Sequence, residues 1–145
     1  MMEIFIYSQN SSSGRFAILD DNGRVAYLYL TNTDSQKPFR DAIAYSRIPL
    51  ETREAWLKGV KKDEAPQSFT EIASETAIIA SPNENEFSFI WSSDGHTAAL
   101  LRNGEPIALV SAHETPGYSK AVCKTSALAT PWNQEIFRSY IKQKP

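Results

Sequence analysis

Phe16-Ala17-Ile18-Leu19-Asp20-Asp21-Asn22-Gly23-Arg24-Val25-Ala26-Tyr27-Leu28-Tyr29-Leu30 consists of two β-prone runs joined by Asn-Gly, a dipeptide that readily takes the left-handed angles of a tight hairpin turn. With Asn22 and Gly23 as a two-residue tip, Ile18 pairs with Tyr27 and Phe16 with Tyr29, while Ala17, Leu19, Ala26, Leu28 and Leu30 share the opposite face. The aliphatic face is the expected core. Both strands are thus apolar on two sides, and the second face carries Phe16, Ile18, Tyr27 and Tyr29. Tyrosine tolerates a half-wet surface, so this face is open to two readings. In one, the C-terminal helix covers it as in an ordinary two-layer domain; in the other, Phe16, Tyr27 and Tyr29 are interaction residues for a protein partner.

A second β region runs from Glu86 to Ala112, where Asp94-Gly95 and Asn103-Gly104 punctuate runs of β-branched, aromatic and aliphatic residues. Two-residue loops at both points place Trp91 opposite Ala98, Phe89 opposite Leu100, Leu100 opposite Ile107 and Ala98 opposite Leu109. Pro106 falls opposite Leu101, where its missing N–H affects only a strand on the far side, and the 105–112 strand is therefore expected at a sheet edge.

Three further segments have helical features. Pro38–Ala44 and Pro49–Gly59 each place proline near a possible first turn, which predicts two short helices. Ser68–Ala77 has capping-box spacing and helical periodicity, but Thr76–Ala80 also reads as a strand. At the C-terminus Thr130 fits an N-cap and Pro131 a first helical position. Trp132, Ile136, Phe137, Tyr140 and Ile141 then form one apolar stripe. Gln9–Gly14 is too polar for a strand and reads as a loop. The expected architecture is one α+β domain over 1–145. It has an antiparallel sheet of hairpins, about five to seven strands, packed against a C-terminal amphipathic helix, with one or two short helices in the middle.

The 145 residues are 41% apolar and 22% charged, which is globular composition. The formal charge of −2, from 15 basic and 17 acidic residues spread through the chain, gives no electrostatic footprint for a nucleic acid. Met1–Tyr7 lacks the basic region and apolar stretch of a secretory signal, and no run has the length of a membrane span. A cytoplasmic protein is expected, without nucleic acid or membrane as partner. Cys123 is the single cysteine, so no internal disulfide can form, which agrees with a reducing compartment.

Motifs for catalysis are sparse. His96 and His113 are the only histidines, and Cys123 lies ten residues beyond His113. A cysteine–histidine nucleophile pair would need the imidazole within hydrogen-bond reach of the thiol. Asp20, Asp21 and Asn22 lack the spaced acids and distal glutamate of a calcium loop. Glu84 and Glu86 have no second carboxylate placed opposite them, and Ser11–Arg15 lacks the lysine of a phosphate-binding loop. No catalytic, metal or cofactor residue is assigned, and no cofactor is expected.

The segment Phe89–Pro106, with Ile90-Trp91-Ser92, Asp94-Gly95, Ala98-Ala99-Leu100-Leu101 and Asn103-Gly104, resembles a family of short, uncharacterised bacterial proteins with the same elements. The resemblance extends more weakly to the first hairpin, to Asp41-Ala42-Ile43, to Gly117-Tyr118 and to Trp132. The stretch from Leu50 to Glu86 is longer than the pattern. About half of the chain is covered. The resemblance implies a bacterial source and a shared fold of unknown function, and it supplies no catalytic residue. The shared positions are turn glycines and apolar strand residues, a fold signature.

With no catalytic motif, an aromatic hairpin face and a slight acidic excess, the expectation is a non-catalytic bacterial protein that binds another protein. Its most concrete form is a toxin-neutralising immunity protein facing a basic partner. The alternatives are a small-ligand or enzymatic domain with a pocket between sheet and helices, using His113, Cys123 or Tyr118, and a self-associating structural module.

Overall fold

The computed structural model describes residues 3–59 and 65–141. Nine strands and two short α-helices occur among them. The first hairpin is the centre of a four-stranded antiparallel sheet in the order β1-β2-β3-β4, made of Ile4–Gln9, Phe16–Asp21, Val25–Thr31 and Pro38–Ser46. A five-stranded mixed sheet has the order β5-β6-β7-β8-β9, made of Phe87–Trp91, Thr97–Arg102, Glu105–Ser111, Glu114–Ser119 and Thr130–Pro131. Only β8 and β9 run parallel. The fold is a mostly-β α+β arrangement of two packed sheets.

The hairpin register is displaced by two residues from the expected one: Ile18 pairs with Tyr29 and Asp20 with Tyr27. Asn22 donates its N–H to the Val25 carbonyl at 3.2 Å, which moves the tip to Gly23 and Arg24, and Gly23 supplies the positive φ of 91°. The Asn22 side chain then accepts from the Arg24 and Val25 N–H groups. A shift of two preserves which side chain faces which way, because the strand period is two. Ala17, Leu19, Ala26, Leu28 and Leu30 are accordingly all buried.

At Asn103-Gly104 both residues have positive φ, 51° and 83°, as a two-residue type I′ turn requires. Past Pro106 a bulge shifts the register by one, so Leu100 faces Ala108 and Ala98 faces Val110 rather than Ile107 and Leu109. This shift exchanges faces. Ala98, Leu100, Ala108 and Val110 join the core shared with the first sheet, whereas Leu109 turns to the other side. The β7 strand is not an edge, since β8 pairs with it from Ala108 to Ser111 and leaves Pro106 beyond that pairing. The missing proline N–H therefore interrupts no ladder bond on the β8 side.

Pro38–Ala44 is not a helix. It forms most of β4, because β3 has buried apolar residues on both faces and its open ladder groups need a partner. Of the two helices expected in the middle, one is present as α1, Arg53–Gly59. Ser68–Ala77 takes neither regular form and is held by turns and isolated bridges, Glu51 to Phe69 and Ala73 to Val122. The C-terminal helix, α2, spans Gln134–Tyr140 and starts later than Thr130. Asn133 is its N-cap, accepting from the Glu135 and Ile136 N–H groups, while Thr130 and Pro131 form β9. Phe137 and Ile141 pack against Ala99 and Leu109 on the outer side of the second sheet. The helix thus leaves the outer face of the first sheet free of its stripe.

One buried polar cluster pins the end of the first hairpin. Asp21, 1% exposed, accepts from the Tyr45 hydroxyl at 2.6 Å and from Arg47 Nε at 2.8 Å through Oδ2, and from the Gly23 N–H at 2.8 Å through Oδ1. Arg47 Nη2 also lies 2.7 Å from Oδ2. Burial, followed by the bond to Asp21, pushes the Tyr45 phenol up, so it remains a neutral donor.

Candidate functional site

The pairing of the first sheet sets two rows of side chains across its outer face. One row is Tyr7, Ile18, Tyr29 and Asp41; the other is Phe5, Asp20, Tyr27 and Ile43. The second row is roofed at its far end. Tyr27 is 4% exposed and donates its hydroxyl to the Pro66 carbonyl at 2.7 Å, and the Ile43 N–H donates to the Leu128 carbonyl at 3.0 Å. Ala65, Ile79 and Leu128 pack against the same core.

The near end is open. Phe5 and Tyr7 are 61% and 63% exposed, and Phe16, Ile18 and Tyr29 are half-buried beside them. Tyr7 and Phe16 meet edge to face at 5.7 Å, and Tyr29 stacks on Tyr27 at 6.0 Å. Of the three residues expected to bind a partner, Phe16 and Tyr29 therefore reach the surface, and Tyr27 backs Tyr29 from beneath. Phe5 and Tyr7 add most to the exposed area and were not among the three. The alternation in Ile4-Phe5-Ile6-Tyr7 is their sequence signature: Ile4 is buried and Ile6 half-buried against the core, so the aromatics point out.

The polar groups on this face are acidic. Asp20 and Asp41 are exposed within the two rows, and exposed Glu3 precedes β1. Asp20 is raised above the usual carboxylate range by desolvation and then by Glu3 and Asp21; Asp41 is raised by desolvation. The Tyr29 phenol is pushed up to about 12 by desolvation, with Asp20 and Asp41 adding to it. The four strands contain one basic residue, Arg40, whose guanidinium donates to the Ser111 and Ala112 carbonyls of the other sheet. No cation within these strands neutralises the acids on their outer face.

The residues considered for chemistry lie elsewhere and apart. Cys123 is exposed, its N–H donating to the Ile72 carbonyl at 2.7 Å and its Sγ 4.0 Å from the Glu71 carbonyl. His113 instead approaches Asp94, Nε2 to Oδ2 at 3.4 Å, and stacks on Tyr140. Among the described residues no hydrogen bond joins His113 to Cys123. Asp94 is held down to about 2, chiefly by the Ser92 hydroxyl and the His96 N–H. His96 Nδ1 accepts from Arg15 Nε at 2.8 Å, and Glu114 accepts from the Tyr118 and Tyr140 hydroxyls. These bonds tie turns and α2 together. Among the described residues no group of three His, Cys, Asp or Glu side chains is placed to hold a metal ion, and no helix is long and apolar enough to cross a membrane.

A cavity of about 380 Å³ lies between the β2–β3 turn and α1, lined among others by Arg24, Val25, Glu51, Trp56, Gln67 and Ser68. Of the residues in its wall, Gln67 Oε1 and Ser68 Oγ are enclosed and have no hydrogen-bond partner among the described residues. No protein-family model, no curated protein and no solved structure matches this chain.

Proposed function

We propose that this is a non-catalytic protein-binding protein that takes a basic partner on the open outer face of its first sheet, with toxin neutralisation as the most concrete role. The observation that carries the reading is the coincidence on one face of Phe5, Tyr7, Phe16, Ile18 and Tyr29 with Glu3, Asp20 and Asp41, with no base beside them among the described residues. Exposed aromatics supply large contact area at small conformational cost, and carboxylates beside them steer a partner of opposite charge. A bacterial source and kinship with the family resembled through Phe89–Pro106 belong to the same proposal. Those residues build the β5–β7 meander on the far side of the core.

The test is affinity capture of the tagged chain from a lysate of its source organism, in parallel with Tyr29→Ala and Asp41→Asn. The expected result is one stoichiometric protein of basic isoelectric point that is released by moderate salt and recovered in lower yield with both variants. For the immunity role, co-expression of the chain must also relieve growth inhibition by that protein. Capture that is indifferent to both variants would remove the reading.

A second reading is supported by the cavity beside α1, whose wall sets Arg24 and Glu51 beside Trp56, groups of the kind that hold a small polar ligand. It predicts that a polar fragment library raises Tm and changes Trp fluorescence, and that Arg24→Ala and Glu51→Ala abolish both effects.

A further inference from the structure

Besides its two faces, β1 has an outer edge. β1 is terminal in the first sheet, and its pairing with β2 runs from Ile4↔Asp21 to Gln9↔Phe16 without a bulge. In the same register the Asn10 N–H donates to the Arg15 carbonyl at 2.9 Å, while the Phe16 N–H turns the other way, to Thr31 Oγ1. Ladder groups alternate along an antiparallel strand, so Ile4, Ile6 and Ser8 bond to β2. Glu3, Phe5, Tyr7 and Gln9 then direct their N–H and C=O groups outward. Sheets normally blunt such an edge with lysine, proline, a bulge or a covering segment. Ile4-Phe5-Ile6-Tyr7-Ser8-Gln9 has no charge and no proline. The β4 edge, in contrast, is covered by Ala77, Ile79 and Leu128. The β5 edge turns Phe87 inward, and neither Phe89 nor Trp91 beside it is exposed.

We propose that a second copy of this chain pairs with β1, antiparallel to it, about a two-fold axis at Ile6, joining the two first sheets into one of eight strands. The occupant is a second copy because the edge complements itself. With Ile6 opposite Ile6 of the other copy, Phe5 falls opposite Tyr7 and Glu3 opposite Gln9, each twice. Every outward residue meets a suitable partner: aromatic against aromatic, and carboxylate against amide. No carboxylate faces another. Shifting the register by two keeps one aromatic pair, Phe5 on Phe5 or Tyr7 on Tyr7, but sets Glu3 against Tyr7 in one direction and Gln9 against Phe5 in the other. The axis is perpendicular to the sheet, so the aromatic and acidic faces of both copies lie on the same side and become one surface of double width. The inference does not depend on the identity, or the existence, of a basic partner.

Two measurements test it on the purified full chain. Sedimentation equilibrium should show a reversible monomer–dimer equilibrium, and hydrogen exchange should show the Phe5, Tyr7 and Gln9 amides slowing as concentration rises. Tyr7→Pro removes an N–H that does not bond β2, so it should leave the circular dichroism unchanged and shift the protein to monomer. Phe5→Lys, which puts a charge on the edge, should do the same. A protein that is monomeric at the concentrations used for NMR would overturn the proposal. So would a dimer whose Phe5 and Tyr7 amides exchange as fast as in the monomer, or one that persists in both variants. A Tyr29→Ala chain that still dimerises but no longer captures the basic partner separates this inference from the proposed function.

Discussion

Tyr29 and Asp41 sit opposite each other across β3 and β4, one aromatic and one acid of the open face side by side, which makes them the residues through which binding is best interrogated. Tyr29→Ala is expected to weaken partner binding by about 1–2 kcal/mol, measured by calorimetry, as is usual for an aromatic anchor. Because desolvation holds Asp41 and Asp20 above the ordinary carboxylate range, they lose their charge earlier than other acids as the pH falls. A basic partner favours the ionised form, so affinity should fall as pH is lowered through that raised range, and Asp41→Asn should flatten the dependence. Asp21 has the opposite role: it accepts from Tyr45, Arg47 and Gly23 in a buried site and touches no partner. Asp21→Ala leaves the Arg47 guanidinium buried without its carboxylate and should cost about 3–5 kcal/mol in urea unfolding, with no direct effect on the binding face.

At the scale of elements, β8 packs tightly against both β7 and β4 at Gly117. A Cβ placed on Gly117 would lie 2.5 Å from the Leu109 carbonyl oxygen and 2.9 Å from Ala42 Cβ, so Gly117→Ala must push β8 away from β7 and β4. A loss of about 1–3 kcal/mol in chemical denaturation is the expected outcome of such overpacking. The hairpins themselves were legible in the sequence, because Asn-Gly and Asp-Gly dipeptides between apolar runs are local features with local causes. What was not legible came from partners distant in the chain. Pro38–Ala44 has helix-like spacing, yet β3 lacks a neighbour without it, and that demand outweighs propensity. The one-residue bulge after Pro106, which sends Leu109 to the helix and Val110 to the core, has no signature in periodicity. For the site, the hairpin pattern located Phe16 and Tyr29, while Phe5 and Tyr7 were missed because a single alternating strand without a turn beside it is a weak signal. That the Pro66 carbonyl caps the Tyr27 hydroxyl depends on a contact between positions far apart in the chain, which no local pattern specifies.

For the whole molecule, the inner faces of both sheets contribute to one cluster of buried residues, with Leu28 from one and Leu100 from the other each fully enclosed. Leu28→Ala and Leu100→Ala should each cost about 2–5 kcal/mol and should each lower the midpoint of a single unfolding transition followed by fluorescence and circular dichroism. Separate transitions would mean that the sheets are stabilised independently. With α2 on the second sheet and the 65–66 and 128 segments over only part of the first, the outer face of the first sheet keeps an open aromatic, acidic strip, where Phe5 and Tyr7 are the most exposed of the large apolar side chains among the described residues. That asymmetry is the basis of the functional account. Hydroxyl-radical footprinting of the chain, free and with its captured partner at equal chain concentration, tests the account most directly. The account predicts that oxidation of Phe16 and Tyr29 falls sharply in the complex while Trp56 and His113 are unchanged; protection at Trp56 or at His113, with Phe16 and Tyr29 still reactive, would contradict it.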